Sequence, residues 1–222
     1  MKRKHASKLT ALIIYLIAFY AIWTAWELWV KPWIGIAVQN EYIARFIKSG
    51  LIKNLVWTLP ALLLIKRFEG SMYVGLKNMF TTKVRWARYL PVFLLFMVYL
   101  IAGAILTKGK LAISETFGFA DVIVVLFVGI TEETVFRGWL LNAAVNENRK
   151  WLPVIVNALL FLLIHFPVWI YKGEFAVNFQ NFGFVSVLVL SGIFSWTFIK
   201  SKNILIPIFL HMYWDLMIMM LY

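Results

Sequence analysis

The chain contains no cysteine, which excludes disulfides, thiolate metal sites and a cysteine nucleophile. Charge is scarce as well: 14% of the 222 residues are Asp, Glu, Lys or Arg, where a soluble domain carries about 25%. Ten side chains are acidic and three are histidine, so acid–base chemistry has few groups to draw on. There is no internal repeat, linker or low-complexity tract. A second domain is not expected, and residues 1–222 read as a single domain.

What fills the chain instead is apolar. Hydrophobic residues make up 63% of it, aromatics 18%, and the mean hydropathy is +0.82. That much apolar surface has no polar surface to hide beneath, so lipid must cover it. Runs of bilayer-spanning length, about 17–25 residues, are read at 9–30, 43–65, 89–107, 117–141, 152–171, 182–199 and 203–221. The expected fold is an all-α, polytopic transmembrane helix bundle of about seven spans. An eighth, shallow segment fits within 31–50. The basic start Met1-Lys2-Arg3-Lys4 resembles a signal peptide, but the apolar stretch behind it is too long and no small-x-small site follows. It reads as a retained span.

The net charge of +12 follows from basic residues lying between apolar runs, not from a nucleic-acid-binding face, so no nucleic-acid partner is expected. With the N-terminus cytoplasmic, 14 Lys and Arg fall inside and 7 outside, the outer set being Lys31, Arg45, Lys48, Lys53, Lys108, Lys110 and Lys172. The positive-inside rule favours that orientation, in a plasma membrane. Between spans, residues 71–88 place Met72, Leu76, Met79, Phe80, Val84 and Trp86 at three- and four-residue steps among Lys77, Lys83, Arg85 and Arg88. This pattern predicts an interfacial amphipathic helix on the anionic inner leaflet.

Asp121, Glu132, Glu133, Asp215, His165 and His211 all fall within predicted spans, where an ionisable group is costly unless paired or facing a polar cavity. Adjacent helical residues lie about 100° apart, so Glu132 and Glu133 point differently. Glu133 and Arg137 stand at i and i+4, the spacing of an ion pair, which leaves Glu132 free as a general base. His165 taken alone is as well explained by a helix-to-helix hydrogen bond, and Phe161, one turn earlier, by packing on its ring. His211 and Asp215, again at i and i+4, share one face. Counted from the cytoplasmic ends of their spans, Glu132, His165, His211 and Asp215 lie about 14, 20, 12 and 18 Å deep. Four groups from three spans thus occupy one layer.

These motifs, in this order, resemble the CAAX protease and bacteriocin-processing family (CPBP, also called Abi), whose pattern is Glu-Glu-x-x-x-Arg, Phe-x-x-x-His and His-x-x-x-Asn or Asp. Here they are Glu132-Glu133 with Arg137, Phe161 with His165, and His211 with Asp215. Phe136-Arg137-Gly138 and Ile204 through Pro207 are similar too, and the likeness runs from about Phe117 to the C-terminus, the expected catalytic core. The resemblance implies an intramembrane endopeptidase that takes a membrane-associated or lipidated peptide or protein from the cytoplasmic side. It further implies Glu132 as base, His165 as its partner on water, and His211 with Asp215 at the oxyanion, with Glu133, Arg137 and Phe161 in support. The prenyl endopeptidases of the family carry Asn where this chain has Asp215. An ionised Asp only accepts hydrogen bonds, so Asp215 either is protonated or orients His211 as the sole donor. Glu132, His165, His211 and Asp215 as ligands of one Zn2+ are a third reading, which leaves a metal-free and a zinc hydrolase both open. A bacteriocin-immunity or peptide-binding protein that retains the motifs is the alternative to an enzyme. An ion-coupled carrier would be expected to show repeats.

Overall fold

The computed structural model describes residues 2–222, with side chains from Ser7 onward. The basic side chains of Lys2, Arg3 and Lys4 that entered the orientation count lie outside that description, as does Met1. Among the described residues the fold is helical without strands. In chain order the helices are α1 (Ser7–Ala37), α2 (Glu41–Arg67), the short α3 (Leu76–Thr81), α4 (Leu90–Lys108), α5 (residues 119–144), α6 (Trp151–Tyr171), the short α7 (Phe175–Gln180), α8 (Gly183–Ser201) and α9 (Leu205–Leu221).

Helices α1, α2, α4, α6 and α8 are long and apolar enough to cross a membrane. α9 is apolar but 17 residues long, and α5 carries Asp121, Glu132, Glu133 and Arg137 along its length. Ile14, Ile17, Leu95, Val98, Leu106, Leu152 and Val189 project outward, each more than half exposed. Apolar belts on helices whose backbone bonds are internally satisfied are what a bilayer requires. The chain is an integral membrane protein.

Two sequence expectations change here. Residues 31–50 do not form a separate shallow segment: α1 runs on to Ala37, and α2 starts at Glu41 after three intervening residues. The Asn40 side chain starts α2 by accepting from the Ile43 amide at 3.0 Å, one of the orphan donors of a helix start. Nor is 71–88 a continuous amphipathic helix; only Leu76–Thr81 is α-helical. The reason is competition for its backbone. The Val74 amide donates to the Asn142 side chain at 2.7 Å, and Asn142 returns a bond to the Val74 carbonyl at 2.9 Å. Asn203 and the Ile204 amide donate to the carbonyls of Thr82 and Met79, each at 2.8 Å. Met79 and Val74 are buried, so this segment closes one end of the bundle.

Several helices are not uniformly α. Wider π turns, closed by i→i+5 bonds, occupy Trp26–Val30 in α1, Phe46–Ile52 and Asn54–Thr58 in α2, and Thr134–Leu141 in α5. Proline accounts for two of them. Pro32 and Pro60 lack an amide hydrogen and press on the carbonyl four residues back; those carbonyls, of Leu28 and Val56, lie inside the π turns that precede each proline. Pro167 acts otherwise: α6 breaks at Ile164, and Pro167 falls in the first turn of the half that restarts at His165, where no amide is needed.

Helix α9 packs on α5, and α8 on α6. The α5–α9 approach is close at Gly129, where a Cβ would stand 2.8 Å from Met212 Cγ and 3.3 Å from the Ile208 carbonyl oxygen. Met212 can bend, but the backbone carbonyl cannot. Gly129→Val is therefore expected to cost about 1–3 kcal/mol of stability, read as a lower melting temperature in detergent. An unchanged melting temperature would mean the two helices are not held this tightly.

Candidate active site

Three helices carry the predicted groups, and two of them bring Glu132, His211 and Asp215 together. Glu132 and Glu133 close the α-helical part of α5, just before its π turn, His165 opens the second half of α6, and His211 and Asp215 lie one turn apart on α9. Glu133 and Arg137 are fully buried and paired at 3.0 Å, the partnership their spacing predicts. Arg137 then reaches across to α8, donating to the Ser191 hydroxyl at 2.7 Å and its carbonyl at 3.0 Å. The rings of Phe161 and Phe194 lie 4.5 and 5.4 Å from the guanidinium. A planar fork with two aromatic faces beside it is a site for Arg rather than Lys.

Glu133 does more than balance Arg137. Its Oε1 also lies 2.8 Å from His211 Nδ1. A carboxylate can only accept, so His211 donates Nδ1–H and turns Nε2 the other way. On that side stand Asp215 Oδ2 at 3.5 Å and Glu132 Oε2 at 3.9 Å. The tightest bond to His211 comes from Glu133 rather than Asp215, where α5 approaches α9 closely at Gly129.

His165 Nδ1 lies 3.0 Å from the Phe161 carbonyl oxygen, which again only accepts, so this nitrogen carries the hydrogen and Nε2 keeps a free lone pair. Phe161 packs between the imidazoles, 5.3 Å from His165 and 5.9 Å from His211 by ring centroids.

Glu132 is not the free carboxylate that the sequence suggested. Lys53 Nζ stands 4.0 Å from its Oε1. Lys53, counted above among the outer connections, lies inside α2 with 5% of its surface exposed. A spacing signal for this exists: Ser49, Lys53, Trp57, Ala61 and Ile65 recur every four residues and are all buried, marking the inward stripe of α2. Asp121 likewise is not a deep acid. It sits in the first turn of α5, accepts from the Gly118 amide at 2.9 Å and pairs with Arg45.

Other residues without a sequence motif support the site. Trp23 of α1 donates its indole N–H to the Ile164 carbonyl at 2.9 Å, at the break beside His165, and Tyr20 donates to the Leu160 carbonyl at 2.5 Å. Asn157 donates to the Phe136 carbonyl within the π turn at 2.8 Å. The zinc reading gains no support from this arrangement. Among the described residues no three His, Asp or Glu side chains are placed to share a metal ion, and the cation beside Glu132 is an ammonium.

Comparison with known proteins agrees with the motif reading. No curated protein and no solved structure matches the chain. A family model does: that of the type II CAAX prenyl endopeptidase Rce1-like proteins matches residues 115–217, which include every residue of the three motifs. This stretch, a little under half of the chain, is similar to the Rce1-like proteins, in keeping with the CAAX-processing family that the motifs resemble.

Proposed function

We propose that the protein is an intramembrane endopeptidase that hydrolyses a peptide bond in a membrane-associated or lipidated substrate without a metal ion. The observation that carries this reading is the Glu132–His211–Asp215 cluster, with contacts of 3.9 and 3.5 Å, inside a helical bundle whose matched segment is similar to a protease family. In this mechanism Glu132 takes a proton from water while His165 Nε2 accepts the water's other hydrogen. The hydroxide oxygen adds to the scissile carbonyl carbon. His211, as an imidazolium whose charge Glu132, Glu133 and Asp215 balance, donates Nε2–H to the oxyanion. Glu132 then passes its proton to the leaving nitrogen as the C–N bond breaks. Asp215 need not donate, since His211 does.

Trp86, Phe93, Val125, Phe209, Met212 and Leu216 line an apolar groove of about 600 Å3, in which Met212 and Leu216 directly follow His211 and Asp215 along α9. It suits a lipid chain attached to the substrate better than a polar peptide. The same reading has α5 and α9 completing seven spans around the site. It also has one domain, the N-terminus in the cytoplasm, a plasma-membrane location and a substrate arriving from the cytoplasmic side. The test is a comparison of membrane proteomes from cells carrying the wild-type chain or Glu132→Gln. At least one precursor is expected to be shortened only with the wild type. A phenotype that survives Glu132→Gln, with no cut lost, would instead identify a binding or immunity protein.

A further inference from the structure

Each acid within the bundle has a cation, and the pairing isolates one residue. Glu27 pairs with Lys31 at 2.6 Å, Asp121 with Arg45, and Glu133 with Arg137 and His211. This leaves Glu132 and Asp215 to share His211 and Lys53. The Lys53 ammonium lies over the Trp23 ring at 4.5 Å, and the one carboxylate within ion-pair reach of it is Glu132, at 4.0 Å. A buried ammonium is costly unless a counter-charge compensates it, and a lysine with no task could be replaced there by an apolar residue of similar length.

The two carboxylate oxygens of Glu132 face different cations. Oε1 is turned to Lys53 Nζ on α2, and Oε2 to His211 Nε2 on α9. A positive group faces each oxygen of the carboxylate. From this geometry we infer that Lys53 is a positioning residue of the proposed hydrolysis: its ammonium attracts one oxygen of Glu132 while His211 faces the other, so that His211 is not its only partner. This inference rests on Glu132 being the base. Trp23 ties the arrangement together, carrying the ammonium on its face and holding the backbone beside His165 with its indole N–H. Both Lys53 and Trp23 lie outside the segment matched by the family model.

The test uses the purified full-length chain in detergent, with Lys53→Met, Lys53→Arg, Glu132→Gln and the double variant Lys53→Met/Glu132→Gln. Thermal unfolding needs no substrate. Lys53→Met is expected to lower the melting temperature, and adding Glu132→Gln to restore part of the loss, because the double variant buries no uncompensated charge. Equal or additive losses in the double variant would overturn the pairing, and so would failure of both Lys53→Met chains to fold. Turnover is followed with an internally quenched farnesylated CAAX peptide. Lys53→Met is expected to lower kcat about 10²-fold with KM little changed, and Lys53→Arg to recover most of it. Wild-type kcat in Lys53→Met beside an inactive Glu132→Gln would remove Lys53 from the mechanism and leave the proposed function standing. An active Glu132→Gln would take the role of base from Glu132, and with it the reading on which this inference rests.

Discussion

Glu132→Gln, reconstituted in vesicles, is expected to retain its fold and lose about 10²–10⁴-fold in kcat, the usual contribution of a positioned general base. The substitution keeps the shape of the side chain, and the polar approaches to Glu132 from His211 and Lys53 are no shorter than 3.9 and 4.0 Å. Its packing is therefore kept; what is lost is the ability to take up and return a proton, together with the negative charge facing Lys53, which lowers the melting temperature without unfolding the chain. KM should move little, because in the proposed mechanism Glu132 acts on water rather than on the body of the substrate. The measurement is product release under saturating substrate, with melting temperature followed in parallel. A variant that keeps wild-type kcat would transfer the role of base to another group, His165 being the nearest in chemistry.

Arg137→Met is expected to act through stability instead. Arg137 and Glu133 are both fully enclosed, and removing Arg137 leaves Glu133 with His211 alone to balance it, at a cost approaching the ~3–5 kcal/mol of a broken buried pair. Loss of the bonds to Ser191 separates α5 from α8 as well. His211 also suffers, because its Nδ1 is held by the same Glu133 oxygen that Arg137 contacts. Unfolding in detergent should therefore shift down strongly, and Arg137→Lys should rescue little, because an ammonium cannot bridge Glu133 and Ser191 as the planar fork does. A melting temperature within a degree or two of wild type would mean that this pair is not what holds the three helices together.

The sequence made the helical class and the three motifs visible because both are written in local patterns. Apolar runs announce helices, and i, i+4 spacing places Glu133 with Arg137 and His211 with Asp215 on shared faces. It did not reveal who partners whom between helices. The bond from Glu133 to His211 joins residues 78 positions apart and depends on the small side of Gly129. Lys53 was misjudged for another reason. A lysine interrupting an apolar run looks like a loop cation, and only the stripe through Ser49, Trp57, Ala61 and Ile65 assigns it to the interior. A strict four-residue step drifts about 40° per repeat in a regular α-helix. The π turns on either side of Lys53 wind the other way, which keeps that stripe facing inward. The π turn at Thr134–Leu141 has no proline behind it, and nothing in its sequence announces it.

The hydrogen bonds from Tyr20 and Trp23 to the carbonyls of Leu160 and Ile164 have a consequence for modularity. They attach the helix bearing His165 to the first helix of the chain, so the motif-bearing segment and its amino-terminal neighbour are mechanically one part. Grafting residues 115–222 onto an unrelated membrane anchor would carry over every motif residue while discarding the brace behind His165 and the cation beside Glu132. Such a chimaera would be recognisable by sequence and idle as a catalyst.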